Sequence, residues 1–410
     1  MELSPLQKKI LLAIVIVIIT VVMGFVIYVL FFKPAEKAYV NVNGQLIPVD
    51  VFPTINLNVN KGVKANINAF TGIPEIDKIA NGRNTLTETL NTDIAQNATR
   101  ANDGKSMQYY NAEDGKFYRI DENGNKVLMT DEIFKGVANV NWSNDSNAAV
   151  LEMQDGYNIY YDFNKKKQYS LPKEMEDFSF SPDNQQIAYK YMALDKEDRA
   201  LGVINPDGSG VTSITGLGEN ADKVQVNWSP SGQAVATFQD YVDSGRQKVV
   251  PIGLHGENYK QMLVEGRDFQ YQWDTTGQKM LYSIYNAESD FKPSLWIVDA
   301  QGEQIGENRI NLQINTWQDK CTFGASSTIY CAVPSSLDKG SGISRGVADN
   351  TPDSIYKIDL TTGAKSILAV PVDATGTTQY TIDSLYTSTD GATLFFTDKN
   401  NKNIHKIKLK

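Results

Sequence analysis

Two cysteines, two histidines and eight arginines are the scarce reactive side chains of this 410-residue chain, and their spacing limits the chemistry open to it. Cys321 and Cys331 bracket one short phrase with Phe323, Gly324 and Tyr330 between them. In a hairpin that turns near Ser326 the two face each other, and side chains of a non-hydrogen-bonded pair come close enough to bridge. A disulfide is expected, and with it an oxidising, extracytoplasmic location; two buried free thiols are the other reading. His255 and His405 lie 150 positions apart with no further cysteine near either, so neither a metal site nor a cofactor is expected.

Two motifs resemble catalytic or metal-binding signatures. Gly342, Ser344 and Gly346 match the Gly-x-Ser-x-Gly nucleophile pattern, which works on a sharp turn between a strand and a helix. Here the motif lies in a Gly/Ser-rich insertion between Val333 and Ser354, so it reads as a loop. Asp121 to Asn125 suggests a calcium loop, yet its glycine stands fourth rather than sixth, and the segment reads as a hairpin turn. Eight arginines spread over the chain are few for a sialidase-like carboxylate cluster, and a glycosidase or lyase gains no support from them.

The elements that must position these residues come from a repeat. An apolar strand ending in an aromatic, a Ser-Pro-Asp-Gly type turn and a second apolar strand recur with anchors at Trp142, Phe180, Trp228 and Trp273, in weaker form at Phe323 and Tyr386, and without the aromatic at Arg100. Their average spacing of roughly 47 residues is that of a four-stranded blade. A second hairpin follows each phrase, as at 117–128, 201–211, 295–305 and 355–365, and both hairpins alternate apolar and polar residues. The expected fold is all-β: a seven-bladed β-propeller of four-stranded antiparallel blades, preceded by one N-terminal transmembrane helix. Trp142, Phe180, Trp228, Trp273 and Phe323 are expected to pack blade on blade. The last repeat supplies only three strands before the chain ends, and a bare edge invites pairing with other chains. The segment 82–90 is expected to close the ring as the missing fourth strand.

Residues 1–9 form a short tail, and 10–32 are 23 residues without a charge, enough to span a bilayer as a helix. The run exceeds a signal-peptide core and ends in Phe31, Phe32, Lys33 and Pro34, which favours an uncleaved anchor. Lys8 and Lys9 before it balance Lys33 and Lys37 after it; the short leading tail tilts the reading to a cytoplasmic N-terminus and an extracytoplasmic propeller, single-pass in the plasma membrane. Residues 33–81, rich in Asn and interrupted by Pro34, Pro48, Pro53 and Pro74, read as a linker with room for one hairpin, and 82–410 as the propeller. A net charge of -9 argues against nucleic acid as partner.

In each repeat both hairpin turns are short and share one face. The loops between second and third strands, and between blades, share the other and carry the long insertions, at 192–199, 239–247, 285–293 and 334–353. Loops on a rigid scaffold are where binding residues concentrate. The candidates are Asp195, Asp198, Arg199, Tyr241, Arg246, Tyr285, Asp290, Phe291 and Arg345.

The aromatic-led turns, clearest at Phe180 to Asp183 and Trp228 to Gly232, resemble the repeats of TolB-like propellers. Over nearly everything after residue 75 the chain is also similar to uncharacterised single-pass propeller proteins of Patescibacteria-type bacteria, in segments such as 115–121, 221–229 and 314–321. The first resemblance implies the fold; the second carries no known activity. The Tol-system proteins are soluble and have an additional N-terminal domain that has no counterpart here. The expected function is a membrane-tethered binding or scaffold module for a protein, peptide or glycan of the cell envelope. The alternative is an extracytoplasmic hydrolase or lyase at the channel mouth.

Overall fold

The computed structural model describes residues 39–42, 45–48, 75–325 and 327–410. The chain divides into two compact units, Met1–Phe70 and Thr71–Lys410. In the first, Tyr39–Val42 pairs antiparallel with Gln45–Pro48. The expected tail at 1–9 and membrane helix at 10–32 lie outside the described residues, and no described helix is long and apolar enough to cross a membrane.

The second unit is a seven-bladed β-propeller. Its blades, numbered one to seven in chain order, cover 95–128, 137–171, 175–216, 224–264, 267–311, 321–372 and 382–408. Within each, strands A to D run antiparallel from the inner edge outwards. Seven apolar clusters fill the seven interfaces between neighbouring blades, the seventh joining Ile404 and Phe395 of blade seven to Met107 and Tyr109 of blade one. The ring is therefore closed by packing as well as by hydrogen bonds.

The repeated phrase is a turn device at the end of strand A. Ser143 and Ser181 each donate to the aspartate two residues on, Asp145 and Asp183, at 2.6 Å, and Ser388 does the same to Asp390 at 2.7 Å. The same serine oxygens accept from the backbone N–H that opens strand B, at Ala148, Gln186 and Thr393. Such side-chain bonds satisfy turn groups that a two-stranded ladder leaves bare. The aromatic anchors then reach across: Trp142 donates to the Asn97 carbonyl, Trp273 to that of Asn227 and Tyr386 to that of Ala98, each in the adjacent blade. Phe180, Trp228 and Phe323 sit in the clusters between blades two and three, three and four, and five and six.

The segment 82–90 is shared between two blades. Glu88–Thr89 pairs antiparallel with Ile404–Lys408 as the fourth strand of blade seven, while Asn84–Leu86 adds in parallel to Lys365–Val372, giving blade six a fifth strand. Upstream, Asp77 bridges to Thr85 and the Ala80 N–H donates to the Lys408 carbonyl, so the last residues of the stretch read as linker belong to the propeller.

Candidate functional site

The N-terminal ends of the A strands converge on one end of the axial channel. A cavity of about 510 Å³ there is lined by Asn97 and Ala138 of blades one and two together with Asp383 of blade seven and Asp319, just before blade six. Ala138 and Asp319 stand at the two ends of the arc from blade six to blade two, so the cavity runs along the inner, strand-A edge of those four blades. In blades one, three, five and seven strand A carries a bulge near its start, and Asn97, Asp177, Asp268 and Asp383 sit within these bulges. Asn97, Asp177 and Asp268 adopt left-handed backbone at φ 46°, 59° and 56°, which Asn and Asp tolerate better than other side chains. A bulge shifts the alternation of side chains along a strand, and here it brings polar residues to the mouth.

Most of these carboxylates have cationic neighbours. Lys402 Nζ lies 2.9 Å from Asp383, Arg345 lies 2.7 Å from Asp319, and Lys190 lies 3.2 Å from Asp177. Glu152 accepts from both Asn139 and Asn141, at 2.8 and 2.6 Å. Behind the mouth, Lys320 and Asp353 form a fully enclosed pair; burial pushes the lysine down and the carboxyl up, and their mutual attraction opposes both. Among the described residues no three His, Cys, Asp or Glu side chains are placed to hold a metal ion.

A second cavity of about 450 Å³ opens at the same end across blades three to five, between Asp177 and Lys190 on one side and Asp268 and Gln270 on the other. Its floor includes Gln225, Gln239 and Gln247, and Tyr241 stands at its edge. Lys223 binds Asp240 at 3.0 Å and holds that carboxyl below its ordinary range.

The nine residues expected from sequence all lie on this face, in different settings. Tyr241 lines the second cavity, and the Arg267 guanidinium stacks on its ring at 4.4 Å. Arg267 is paired in register with Tyr285, which packs against Phe291; burial raises the Tyr285 hydroxyl. Asp290 and Phe291 hold the blade-six insertion, accepting from Gly340 and Gly342 through their carbonyls. Arg345, on that insertion, reaches Asp319 at the channel and lies over Trp317. The remaining four shape their own loops. Asp195 caps the short turn Lys196–Asp198 by accepting from the Glu197 N–H, and Arg199 donates to the Ala193 carbonyl. Arg246 closes its turn on Asp243, lowering that carboxyl, and Asp198 is exposed in the same turn that Asp195 caps. Of the nine, Tyr241 lines a cavity and Arg345 reaches Asp319, which lines the other; Tyr285, Asp290 and Phe291 hold the blade-six insertion, and Asp195, Asp198, Arg199 and Arg246 belong to their own turns. The bulge residues Asp177, Asp268 and Asp383 and the cavity glutamines carried no signal in the repeat, because no turn motif marks them.

No family model matches the chain, and no curated protein matches it in sequence. In fold it is similar to solved propellers: an oligogalacturonate lyase from Vibrio parahaemolyticus (TM-score 0.55, 13% identity, covering 81% of this chain and 97% of that one) and an oligogalacturonate lyase in complex with manganese (0.51, 13%, 79% and 93%). The Swd1 β-propeller domain of Myceliophteria thermophila is similar too (0.50, 11%, 79% and 100%). These proteins share its fold. At such identities nothing else about them transfers to the chain.

The motif Gly342 to Gly346 is a packing element. A Cβ on Gly342 would lie 2.6 Å from Cβ of Tyr285 and 2.7 Å from the Phe291 carbonyl oxygen, so glycine lets the insertion close onto blade five. Ser344 precedes the short turn Arg345–Ala348 and makes no side-chain bond to it. The strand and helix that the nucleophile arrangement needs are not its flanks.

Proposed function

We propose that the chain is a membrane-tethered, extracytoplasmic propeller that presents its channel-mouth face as a binding or scaffold module to a protein, peptide or glycan of the cell envelope. The observation that carries this reading is the composition of that face. Tyr157, Leu194, Tyr241, Val242, Ile343 and Val347 project exposed apolar side chains from the loops of four blades, Leu194 with its full surface in water. Tyr241 among them lines one of the two polar cavities that open on the same face. Apolar tips around a polar centre are what a recognition surface needs, since isolated exposed apolar residues are ordinary but a group on one face is not. The apolar run at 10–32 supports the tether, and the Cys321–Cys331 disulfide supports the oxidising side of the membrane. Resemblance to TolB-like repeats and to single-pass propellers of Patescibacteria-type bacteria fits this reading.

A hydrolase or lyase at the same mouth is the weaker reading. Two fold neighbours are oligogalacturonate lyases, but the carboxylates and cations lining the first cavity occur largely as pairs. The test is cross-linking and affinity capture with the full chain in its native membrane, comparing the wild type with Leu194→Ser/Ile343→Ser and with the outer-edge variant Val127→Ser. The reading expects partners lost only in the first variant; partners retained by it, or lost equally in both, contradict it.

A further inference from the structure

On the face opposite the mouth, a cavity of about 850 Å³ lies between blades two and three, within the range of about 300–1,000 Å³ that ligand sites occupy. Its walls are the hairpin turns of the two blades, 143–147 and 163–166 from one and 181–186 and 205–207 from the other. Fixed contacts hold these walls in place. Asn144 donates through its N–H to the Asn184 side chain at 2.9 Å and through its amide to the Ser181 carbonyl at 2.8 Å. The outer turn of blade three leans on strand D of blade two, where a Cβ on Gly208 would lie 3.9 Å from the Ser170 carbonyl oxygen.

Tyr160 lines this cavity and departs from the repeat. It stands opposite Val150 of strand B, and the same register in blades three and five, opposite Ala188 and Leu281, holds Val203 and Ile297. The ring packs among Ala148, Leu171, Phe180 and Ile187, leaving the residue 8% exposed. Its hydroxyl has no hydrogen-bond partner among the described residues, and unlike the unbonded hydroxyls of Tyr271 and Tyr282 it is not sealed from solvent. A tyrosine buried to this extent ordinarily gives its hydroxyl a partner. Asp162 and Asp145 act on it but are spent on their own turns. Asp145 accepts from Ser143 and Asn147, and Asp162 accepts from the N–H groups of Asn164 and Lys165 and pairs with the Lys165 ammonium at 3.0 Å. Burial, with Asp162 and Asp145 nearby, pushes the hydroxyl up to about 12, so it keeps its proton to donate.

The remaining lining selects the ligand. Four aspartates against two lysines disfavour an anion. A cation finds no bare carboxylate, since Asp183 and Asp207 are also closed on turn donors, from Ser181 and Gln185 and from Ser209. What these groups offer is spare acceptor lone pairs, one free hydroxyl and side-chain amides, which suit a ligand whose groups donate and accept at once. Tyr169, opposite Tyr160 in register and 36% exposed, adds an aromatic surface to the same wall.

We infer that the groove between blades two and three is a binding site for an uncharged saccharide. One sugar hydroxyl accepts from Tyr160, others donate to the turn carboxylates, and a C–H face lies against Tyr169. This site is independent of the reading of the mouth.

The test is saturation-transfer NMR of the full chain with cellotriose, maltotriose, mannotriose and tri-N-acetylchitotriose at millimolar concentration, with the glucuronate trimer as charged counterpart. At least one neutral trimer is expected to bind, and more tightly than the glucuronate trimer. Tyr160→Phe keeps the ring and removes an unbonded hydroxyl, so it is expected to leave the unfolding midpoint unchanged while weakening that sugar by about three- to tenfold, the worth of one neutral hydrogen bond. Tyr169→Ala is expected to weaken it as well. Leu194→Ser/Ile343→Ser, at the other end of the propeller, is expected to bind the sugar as the wild type does. Binding of no neutral trimer, equal affinity in Tyr160→Phe, a glucuronate trimer bound as tightly, or loss in the mouth variant each overturns the inference, and none of these bears on partner capture by the mouth.

Discussion

Lys320 Nζ lies 2.7 and 2.8 Å from the two carboxylate oxygens of Asp353, and the two side chains are 4% and 0% exposed. Asp353 also accepts from the Ile382 N–H at 2.7 Å, so one carboxylate ties the approach to blade six, its strand Asp353–Asp359 and the start of blade seven. Such a pair gains little over apolar packing, but breaking it strands a charge. Lys320→Met is expected to lower unfolding stability by about 3–5 kcal/mol. Adding Asp353→Asn is expected to recover most of that, because the amide oxygen still serves Ile382. Urea titration of the single and double variants checks this; equal loss in both contradicts it.

His405 provides a pH dependence. The imidazole is 1% exposed in the strand that the closing segment covers, stacked on Phe396 and against Tyr380, with Thr89 on Nδ1 and no partner for Nε2 among the described residues. Burial lowers it from 6.5 to about 4. Between those values the unfolded chain binds a proton that the folded chain does not. The stability this neutral histidine preserves is therefore complete above pH 6.5 and is lost as the pH falls towards 4, by about 3 kcal/mol in full. His405→Phe, which keeps the stacking, is expected to flatten the change in urea midpoint between neutral pH and about pH 5. An unchanged slope would show that carboxylates, not His405, set it.

The packing role of the Gly-x-Ser-x-Gly motif separates its members. Gly342→Ala forces a methyl against Tyr285 and the Phe291 carbonyl and is expected to cost about 1–3 kcal/mol, as overpacking does. Ser344→Ala is expected to leave stability unchanged. A Ser344 variant that abolished reaction with an active-site serine probe would contradict this account and revive an enzyme.

These outcomes bear on what a single sequence discloses. Six of the seven anchors were legible because each combines turn chemistry with an aromatic whose place between blades recurs, and Arg100 only through its spacing; Trp142, Trp273 and Tyr386 even repeat the same reach to a neighbour's carbonyl. The opposed cysteines were legible for the same local reason, and Cys321 and Cys331 are bonded. The mouth was not. Asp177 and Asp268 reach it through bulges that shift the side-chain alternation by one, and nothing in strand periodicity marks where a bulge falls. Gln247 looks like any strand-edge polar residue until three blades enclose it. Loop composition pointed to the face, but Asp195 and Arg246, chosen for their charge, are used to close their own turns.

The most direct measurement is of the side of the membrane on which the propeller stands. Intact cells would be treated with a membrane-impermeant amine reagent, then denatured and alkylated with and without reductant, and the peptides mapped by mass spectrometry. The account predicts that exposed propeller lysines such as Lys165 and Lys339 are modified before lysis, and that Cys321 and Cys331 alkylate only after reduction. Lysines modified only after lysis, with both thiols free, would contradict it and place the propeller in the cytoplasm.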